Sequence, residues 1–428
     1  MTLPFARVLY ACLLFHVVAL PTAFAAALPG PALTLQQAIA NALRSNPELQ
    51  VSAFQLRAQE ARTRQAALRP APEASLDLEN ILGSGEFRAL DSAEATFSLS
   101  QVIELGGKRD ARIVAAEAGR EVLDIERQAR QLDVLADVTR RFVLVAGQQE
   151  RLRLAGIAVR LADQTRIASS KRVEAAKAPH AELDRAHIAL DRAQLDERRA
   201  EAQLAATRRQ LAATWGESGP GNAELSFGRV EADLFSVPAV GTYTDLTERF
   251  AANPDSLRFA SEVRLRDAEL RLAATLRKPD VTVGAGIRRL QGSRDQAFVL
   301  SFSMPLASSR RATSYVDEAT ANRGMVDAEQ RIARIRAEAA LYGLHQELER
   351  AVLEVQMLKD DTTPRAAEAL KETEYAYARG RYSYLELVDA QREYLSLQSV
   401  LIDAAVDAHT LRVEIERLTN APLTRDPT

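Results

Sequence analysis

The sequence predicts a mostly α-helical chain with a small β part, in which long paired helices carry four short strands in two copies of one unit. Three observations predict it. Asn46-Pro47 opens a helical stretch that runs to Pro72 and a short alternating strand, and Asn253-Pro254 opens another that runs to Pro279 and a second such strand. Both strand pairs give way almost at once to very long runs rich in Ala, Glu, Arg and Leu. Late in each copy sits a matched seam, Leu183, Ala186, Leu190 and Ala193 against Leu387, Ala390, Tyr394 and Leu397. Repetition on this scale marks one pseudo-symmetric body. Two strands per copy cannot close a barrel alone, so the pattern points to an oligomeric tube.

Composition narrows the class. Of 428 residues, 47% are hydrophobic and 26% charged, but only 5% are aromatic. Alanine with Glu, Arg, Leu and Gln favours long helices with thin apolar seams over a thick core. A net charge of −3, with basic and acidic residues interleaved, gives no electrostatic footprint for nucleic acid. Residues 1–25 read as an export signal, with Arg7 before an apolar stretch at 8–20 and Ala23-Phe24-Ala25 as the cleavage site. Cys12 lies inside that segment, so the mature chain has no thiol chemistry and no disulfide. Leu9-Tyr10-Ala11-Cys12 faintly resembles a lipoprotein box, although the apolar run continues past the cysteine. No later stretch has the roughly 20 apolar residues of a spanning helix, so a membrane role must use strands.

The elements follow in order. Thr34 caps a first helix, and Pro70 and Pro72 end the helical pattern. In the first hairpin, placed at 73–102, Ala74, Leu76 and Leu78 alternate with Ser75 and Asp77, and Ala95, Phe97 and Leu99 with Thr96 and Ser98. The second, at 280–305, sets Val281, Val283, Ala285 and Ile287 against Thr282, Gly284, Gly286 and Arg288, then Phe298, Leu300 and Phe302 against Val299 and Ser301. A proline-free helix follows from Lys108 to Lys177. Its counterpart runs from Ser308 to Arg379 with an interruption expected near Thr362-Thr363-Pro364. Each reverses, at Ala178-Pro179-His180 and at Gly380-Arg381-Tyr382-Ser383, and the return helices step by threes and fours like a coiled-coil seam. The expected organisation is a first repeat at 33–216, a Gly/Pro-rich connecting segment at 217–242, a second repeat at 243–420 and a tail at 421–428.

With these residues in place, the chain resembles the TolC-like family of outer-membrane efflux ducts. The marks are the paired Asn-Pro starts, the junction Ser100-Gln101-Val102-Ile103-Glu104-Leu105-Gly106-Gly107-Lys108-Arg109 and the first tip Arg172-Val173-Glu174-Ala175-Ala176-Lys177-Ala178-Pro179. These two segments resemble the cobalt–zinc–cadmium branch. The resemblance implies a homotrimer in the outer membrane of a Gram-negative cell. Twelve strands would close a β-barrel, continued by a coiled-coil α-helical barrel through the periplasm. It further implies an RND-type inner-membrane pump and a periplasmic adaptor as partners. The cargo would be heavy-metal cations, or drugs and other small molecules in the alternative. A periplasmic coiled-coil structural or adaptor protein is the rival from another class.

Candidate sites follow from residues and resemblance together. Glu386 and Asp389, three apart on one helical face, match the family's ring of tip carboxylates, which would favour cations at a narrow opening. The competing reading is a solvated acidic face. Ala176, Ala178 and Pro179 with Gly380, Tyr382 and Ser383 match the family's adaptor-docking tips, while turn chemistry alone also accounts for Gly380. Gly106 and Gly107 let the chain pivot from strand to helix. Lys108-Arg109 and Arg310-Arg311 sit at helix starts, where the dipole disfavours positive charge, so another partner is expected: interfacial lipid, lumen carboxylates or solvent. Phe97, Phe298 and Phe302 fit a lipid-facing surface or a small packed core. The four histidines beyond the export signal, His180, His187, His345 and His409, are scattered and make no metal site, no cofactor motif is present, and the chain carries no phosphate loop, nucleophile elbow or other catalytic pattern.

Overall fold

The computed structural model describes residues 31–217, 225–237 and 240–420. The export signal, Cys12, the tail and part of the connecting segment lie outside the described residues.

The first repeat begins with a two-residue strand β1 (Ala32–Leu33) and helix α1 (Leu35–Ser45), entered through a capping box in which Thr34 and Gln37 bond each other's backbone. Helix α2 (Pro47–Ala66), strands β2 (Glu73–Glu79) and β3 (Glu94–Ile103), helix α3 (Lys108–Glu174) and helix α4 (His180–Ala213) follow. A short strand β4 (Arg229–Val230) pairs in parallel with β1. The second repeat carries α5 (Tyr243–Phe250), α6 (Pro254–Thr275), β5 (Val281–Leu290), β6 (Gln296–Ser303), α7 (Ser308–Met357), α8 (Thr363–Ala378) and α9 (Tyr384–Thr419). At ~1.5 Å per residue, α3 alone is about 100 Å long.

The repeated Asn-Pro has a double role. Asn46 Oδ1 accepts from Glu48 N and Leu49 N, capping α2, while its Nδ2 donates to the Thr214 carbonyl at the end of α4. Asn253 repeats both acts, accepting from Asp255 N and donating 2.8 Å to the Arg417 carbonyl in the last turn of α9. Both asparagines are buried. The proline that follows takes the first helical position, where no N–H is needed. One side chain therefore starts the entry helix and fastens it to the end of the return helix.

The strands form one antiparallel sheet in the order β2-β3-β5-β6, so the two hairpins meet at β3 and β5, and β2 and β6 are left as edges. Register separates a mainly apolar face from a mainly polar one, with Arg289 and Gln101 on the first and Val299 on the second. One carries Leu76, Leu78, Phe97, Leu99, Val283, Ile287, Phe298, Leu300 and Phe302, all well exposed. The phenylalanines therefore enter no packed core within the chain. The opposite face carries Glu73, Ser75, Asp77, Glu79, Glu94, Thr96, Ser98, Ser100, Gly284, Gly286, Arg288 and Ser301.

The interior is thin, as the alanine content requires. Helix α3 packs along α4, α6 and α9, and α7 along α6 and α9. One apolar cluster gathers Val138, Phe142, Leu211, Phe227, Leu234, Val355, Leu358 and Ile402 around the connecting segment. A separate cluster holds Leu370, Tyr377 and Leu387 at the far end. Near Pro364 the expected interruption is a wide π-helical turn, Leu358–Thr362, that carries α7 into α8 without ending the rod. The proline ring, which crowds the carbonyl four residues back in an α-helix, is given room by the extra residue.

Candidate functional site

The end of the rods opposite the sheet is built by two reversals of the same geometry. Helix α3 ends with Ala176 at φ 55°, and Lys177 N donates back to the Arg172 carbonyl at 2.7 Å. Helix α8 ends with Gly380 at φ 76°, and Arg381 N donates to the Ala376 carbonyl at 2.9 Å. Each is a left-handed helix stop closed by a six-to-one bond. The first uses alanine where the conformation favours glycine. Pro179 and Ser383 then stand at the N-caps of α4 and α9, and Tyr382 is exposed between them.

Glu386 is turned back on its own helix. Its carboxylate accepts from Ser383 N at 2.6 Å and Ser383 Oγ at 2.8 Å, while Ser383 Oγ accepts from Glu386 N. These bonds hold its pKa below the usual carboxylate value, although the side chain is exposed. Asp389, one turn on and exposed, lies 3.4 Å from Arg392. The structure thus gives Glu386 a capping role that its spacing alone did not disclose.

Between the two reversals lies a polar clasp. Tyr377, 1% exposed, donates from its hydroxyl to Glu182 Oε1 at 2.6 Å and stands 2.9 Å from Ser169 Oγ. Arg172 covers the Tyr377 ring at 4.7 Å, donates to the Tyr377 carbonyl at 3.0 Å and lies 3.5 Å from Glu182. Burial, first, and the acidic partner push the Tyr377 phenol up to about 12. A turn higher, Gln391 donates to Thr165 Oγ1 at 2.9 Å. The clasp joins α3 and α4 of the first repeat to α8 of the second. Sequence reasoning missed it: Tyr377 is one of several tyrosines near the tip, and its partners lie about two hundred positions away.

At the other end, Gly106 and Gly107 both take left-handed φ, 82° and 73°, and Ala307 matches the second of them at φ 62°. A Cβ on Gly106 would come within 2.9 Å of Lys278. Lys108 and Arg109 find partners inside the chain, one of them a carboxylate. Lys108 is buried and donates 2.6 Å to Asp280 of the second repeat, whose same oxygen accepts from Leu105 N. Arg109 donates 2.7 Å to the Ala67 carbonyl at the end of α2, where a cation suits the helix dipole. Arg310 and Arg311 are exposed at the start of α7.

On the polar face of the sheet, Arg288 binds Glu94 at 2.9 Å, Glu79 at 3.1 Å and Thr96 at 2.9 Å. Glu73 and Asp77 add charge without a matching cation on that face, so the face is acidic. Among the described residues no cluster of three or more metal-binding side chains occurs, and no helix is long and apolar enough to cross a membrane.

Residues 38–217 match the family model described as outer membrane efflux protein. The chain is similar to the cobalt-zinc-cadmium resistance protein CzcC of Cupriavidus metallidurans, 28% identical over 363 residues that cover 85% of this chain and 84% of the relative. Its fold is similar to that of the outer membrane protein VceC from Vibrio cholerae, with TM-score 0.70 and 17% identity over 91% of this chain and 97% of the other. It is likewise similar to the outer-membrane channel OprN, with TM-score 0.69 and 18% identity over 91% and 90% of the two chains.

Proposed function

We propose that this chain is an outer membrane efflux protein, a TolC-like channel with a large periplasmic portion, and that it serves as the passive duct of a heavy-metal efflux system. The observation that carries the reading is the two-faced sheet. Its apolar face is exposed and bears Phe97, Phe298 and Phe302, as a lipid-facing surface requires, while its other face is polar and acidic. Gly284 and Gly286 support the same inside–outside sense. A Cβ at Gly284 would sit 2.4 Å from Ser301 Oγ, and one at Gly286 2.6 Å from the Phe97 carbonyl, so these two positions on the acidic face leave no room for a side chain. Glycines placed there let a sheet curl.

The open edges β2 and β6 support closure between copies. Four strands from each of three chains make a twelve-stranded barrel. An acidic lumen lowers the energy of cations and raises that of anions, which fits metal-ion cargo better than neutral drugs. The partners in this reading are a periplasmic adaptor, seated at Ala176, Ala178, Pro179, Gly380, Tyr382 and Ser383, and an inner-membrane RND-type pump that supplies the energy. The tip is the gate. Glu386 and Asp389 form its carboxylate ring, and the Tyr377–Glu182–Arg172 clasp holds it closed.

The test is the reversal potential of the purified protein in a planar bilayer under a salt gradient. Wild type is expected to pass cations over anions, and Glu73→Gln/Asp77→Asn to reduce that preference. Glu386→Gln/Asp389→Asn tests the tip ring separately. A channel without cation preference, unchanged by either pair, would overturn the metal-ion reading and favour small-molecule cargo. A mature protein that is soluble without detergent and forms no channel would overturn the duct.

A further inference from the structure

Taking the duct and its closed tip as the starting point, we propose that the π-helical turn Leu358–Thr362 is the fulcrum on which α8 moves when the tip opens, with the connecting segment as its fixed seat. Three observations converge there. The first is an unclaimed hydrogen bond. Thr139, Thr165, Thr207, Thr320, Thr373 and Thr410, all inside helices, donate their hydroxyls to the carbonyl four residues back. Thr363 is equally helical and buried, yet its Oγ1 has no partner among the described residues. The reason is the winding: Thr363 N donates five residues back, to Leu358, so the carbonyl of Lys359 is out of place for the hydroxyl.

That turn therefore has two windings with opposite costs. In the π form Pro364 is accommodated and a buried hydroxyl goes unbonded. In the α form Thr363 regains its carbonyl, and the proline ring crowds the one at Asp360. Neither form satisfies both residues, which is the condition for an element with two discrete arrangements.

The second observation is that the side above the turn is seated. Lys359 Nζ donates 3.1 Å to the Phe235 carbonyl, His345 Nε2 lies 2.9 Å from the Gly241 carbonyl, and His409 Nε2 2.9 Å from that of Leu234. Gln149 of α3 takes both backbone groups of Val230. Helices α3, α7 and α9, and the turn itself through Lys359, are thus bonded to one segment. The third is that the apolar interior divides at the same place. Leu358 belongs to the upper cluster, and the next interior residues along the rod, Leu370 and Tyr377, belong to the separate tip cluster. Movement of α8 about the turn leaves the upper packing whole.

The experiment uses the full-length protein in detergent, with the clasp released by Tyr377→Phe so that both arrangements are sampled. Spin labels at Lys371→Cys and Asp196→Cys report the distance across the lower rods, and labels at Arg350→Cys and Asp196→Cys report it above the turn; all three sites are exposed. Thr363→Val, which removes the unbonded hydroxyl at equal volume, is expected to collapse the lower distribution onto its closed distance. Pro364→Ala, which removes the crowding, is expected to move it the other way. The upper distance stays fixed in both. A lower distribution that neither variant moves, or an upper pair that moves with it, overturns the fulcrum. If Pro364→Ala does not fold, the isosteric Thr363→Val decides alone. The distances are read without conduction, so a failed duct reading shows up in the bilayer and a failed fulcrum in the labels.

Discussion

Removing the side chain of Asn253 separates its two roles and measures each. The residue is fully buried, its Oδ1 caps α6 through Asp255 N at 2.8 Å, and its Nδ2 satisfies the Arg417 carbonyl at 2.8 Å. Asn253→Ala deletes the cap, worth about 1 kcal/mol. It also leaves one of the orphan carbonyls of a helix end buried without a donor, at ~1–3 kcal/mol. The sum is about 2–4 kcal/mol. Asn253→Ser keeps an oxygen for the cap but is too short to reach Arg417, so it should lose only the second part, about 1–3 kcal/mol. The assay is urea unfolding of the detergent-solubilised protein followed by far-ultraviolet circular dichroism. The order wild type, serine, alanine is expected, and the same order at Asn46, whose Nδ2 reaches the Thr214 carbonyl at 2.7 Å. An alanine variant within about 0.5 kcal/mol of wild type would refute the reasoning, since surface-like tolerance is incompatible with two buried hydrogen bonds.

Other contacts give further expected outcomes. Tyr377→Phe removes the hydroxyl that binds Glu182 and Ser169 and should raise open probability ten- to a hundredfold, from the ~1.5–3 kcal/mol of a bond to a charged acceptor. Because the folded phenol is raised to about 12, its contribution is complete below pH 10 and lost only as pH climbs toward 12; a clasp that loosens at pH 8 in channel recordings would contradict this. His409 runs the opposite way. Burial depresses its pKa below 6.5, so the stability it lends is present above that pH and declines as pH falls beneath it. Protection from hydrogen exchange at 234–235, taken relative to the intrinsic rate at each pH, should fall below pH 6.5 in wild type, and a His409→Gln variant should lack that acid step. Lys108→Met leaves the Asp280 carboxylate without its ammonium partner at the strand–helix junction and should cost ~1–3 kcal/mol in the same urea titration, largely recovered in Lys108→Met/Asp280→Asn.

How much of this was legible follows from the range of each interaction. The strand alternation at 281–287 and 298–302, the long helices and the glycines at 106–107 are local, and one sequence displays them. The Asn-Pro pair was visible as a mark, yet its meaning needed Thr214 and Arg417, each more than a hundred and fifty positions away. Lys108 and Arg109 looked mismatched because a helix start disfavours cations, and their partners, Asp280 and the Ala67 carbonyl, are supplied by topology. Pro364 looked like a break because the usual outcome at an interior proline is a kink, whereas this helix absorbs it by widening one turn. Glu386 and Asp389 could be singled out as tip carboxylates. That Glu386 caps its own helix was encoded in Ser383, three residues before it, as a capping box.

The two edges of the sheet come from different repeats, β2 from the first and β6 from the second. A ring made by joining them runs head to tail, so each copy gives one kind of edge and receives the other. Every seam then depends on both neighbours, and a ring has no position where a faulty copy is harmless. A chain with a proline in β6 would enter assemblies through its intact β2 and stall them. In a cell making both forms it would act as a dominant poison, and its severity would rise with its share of the pool.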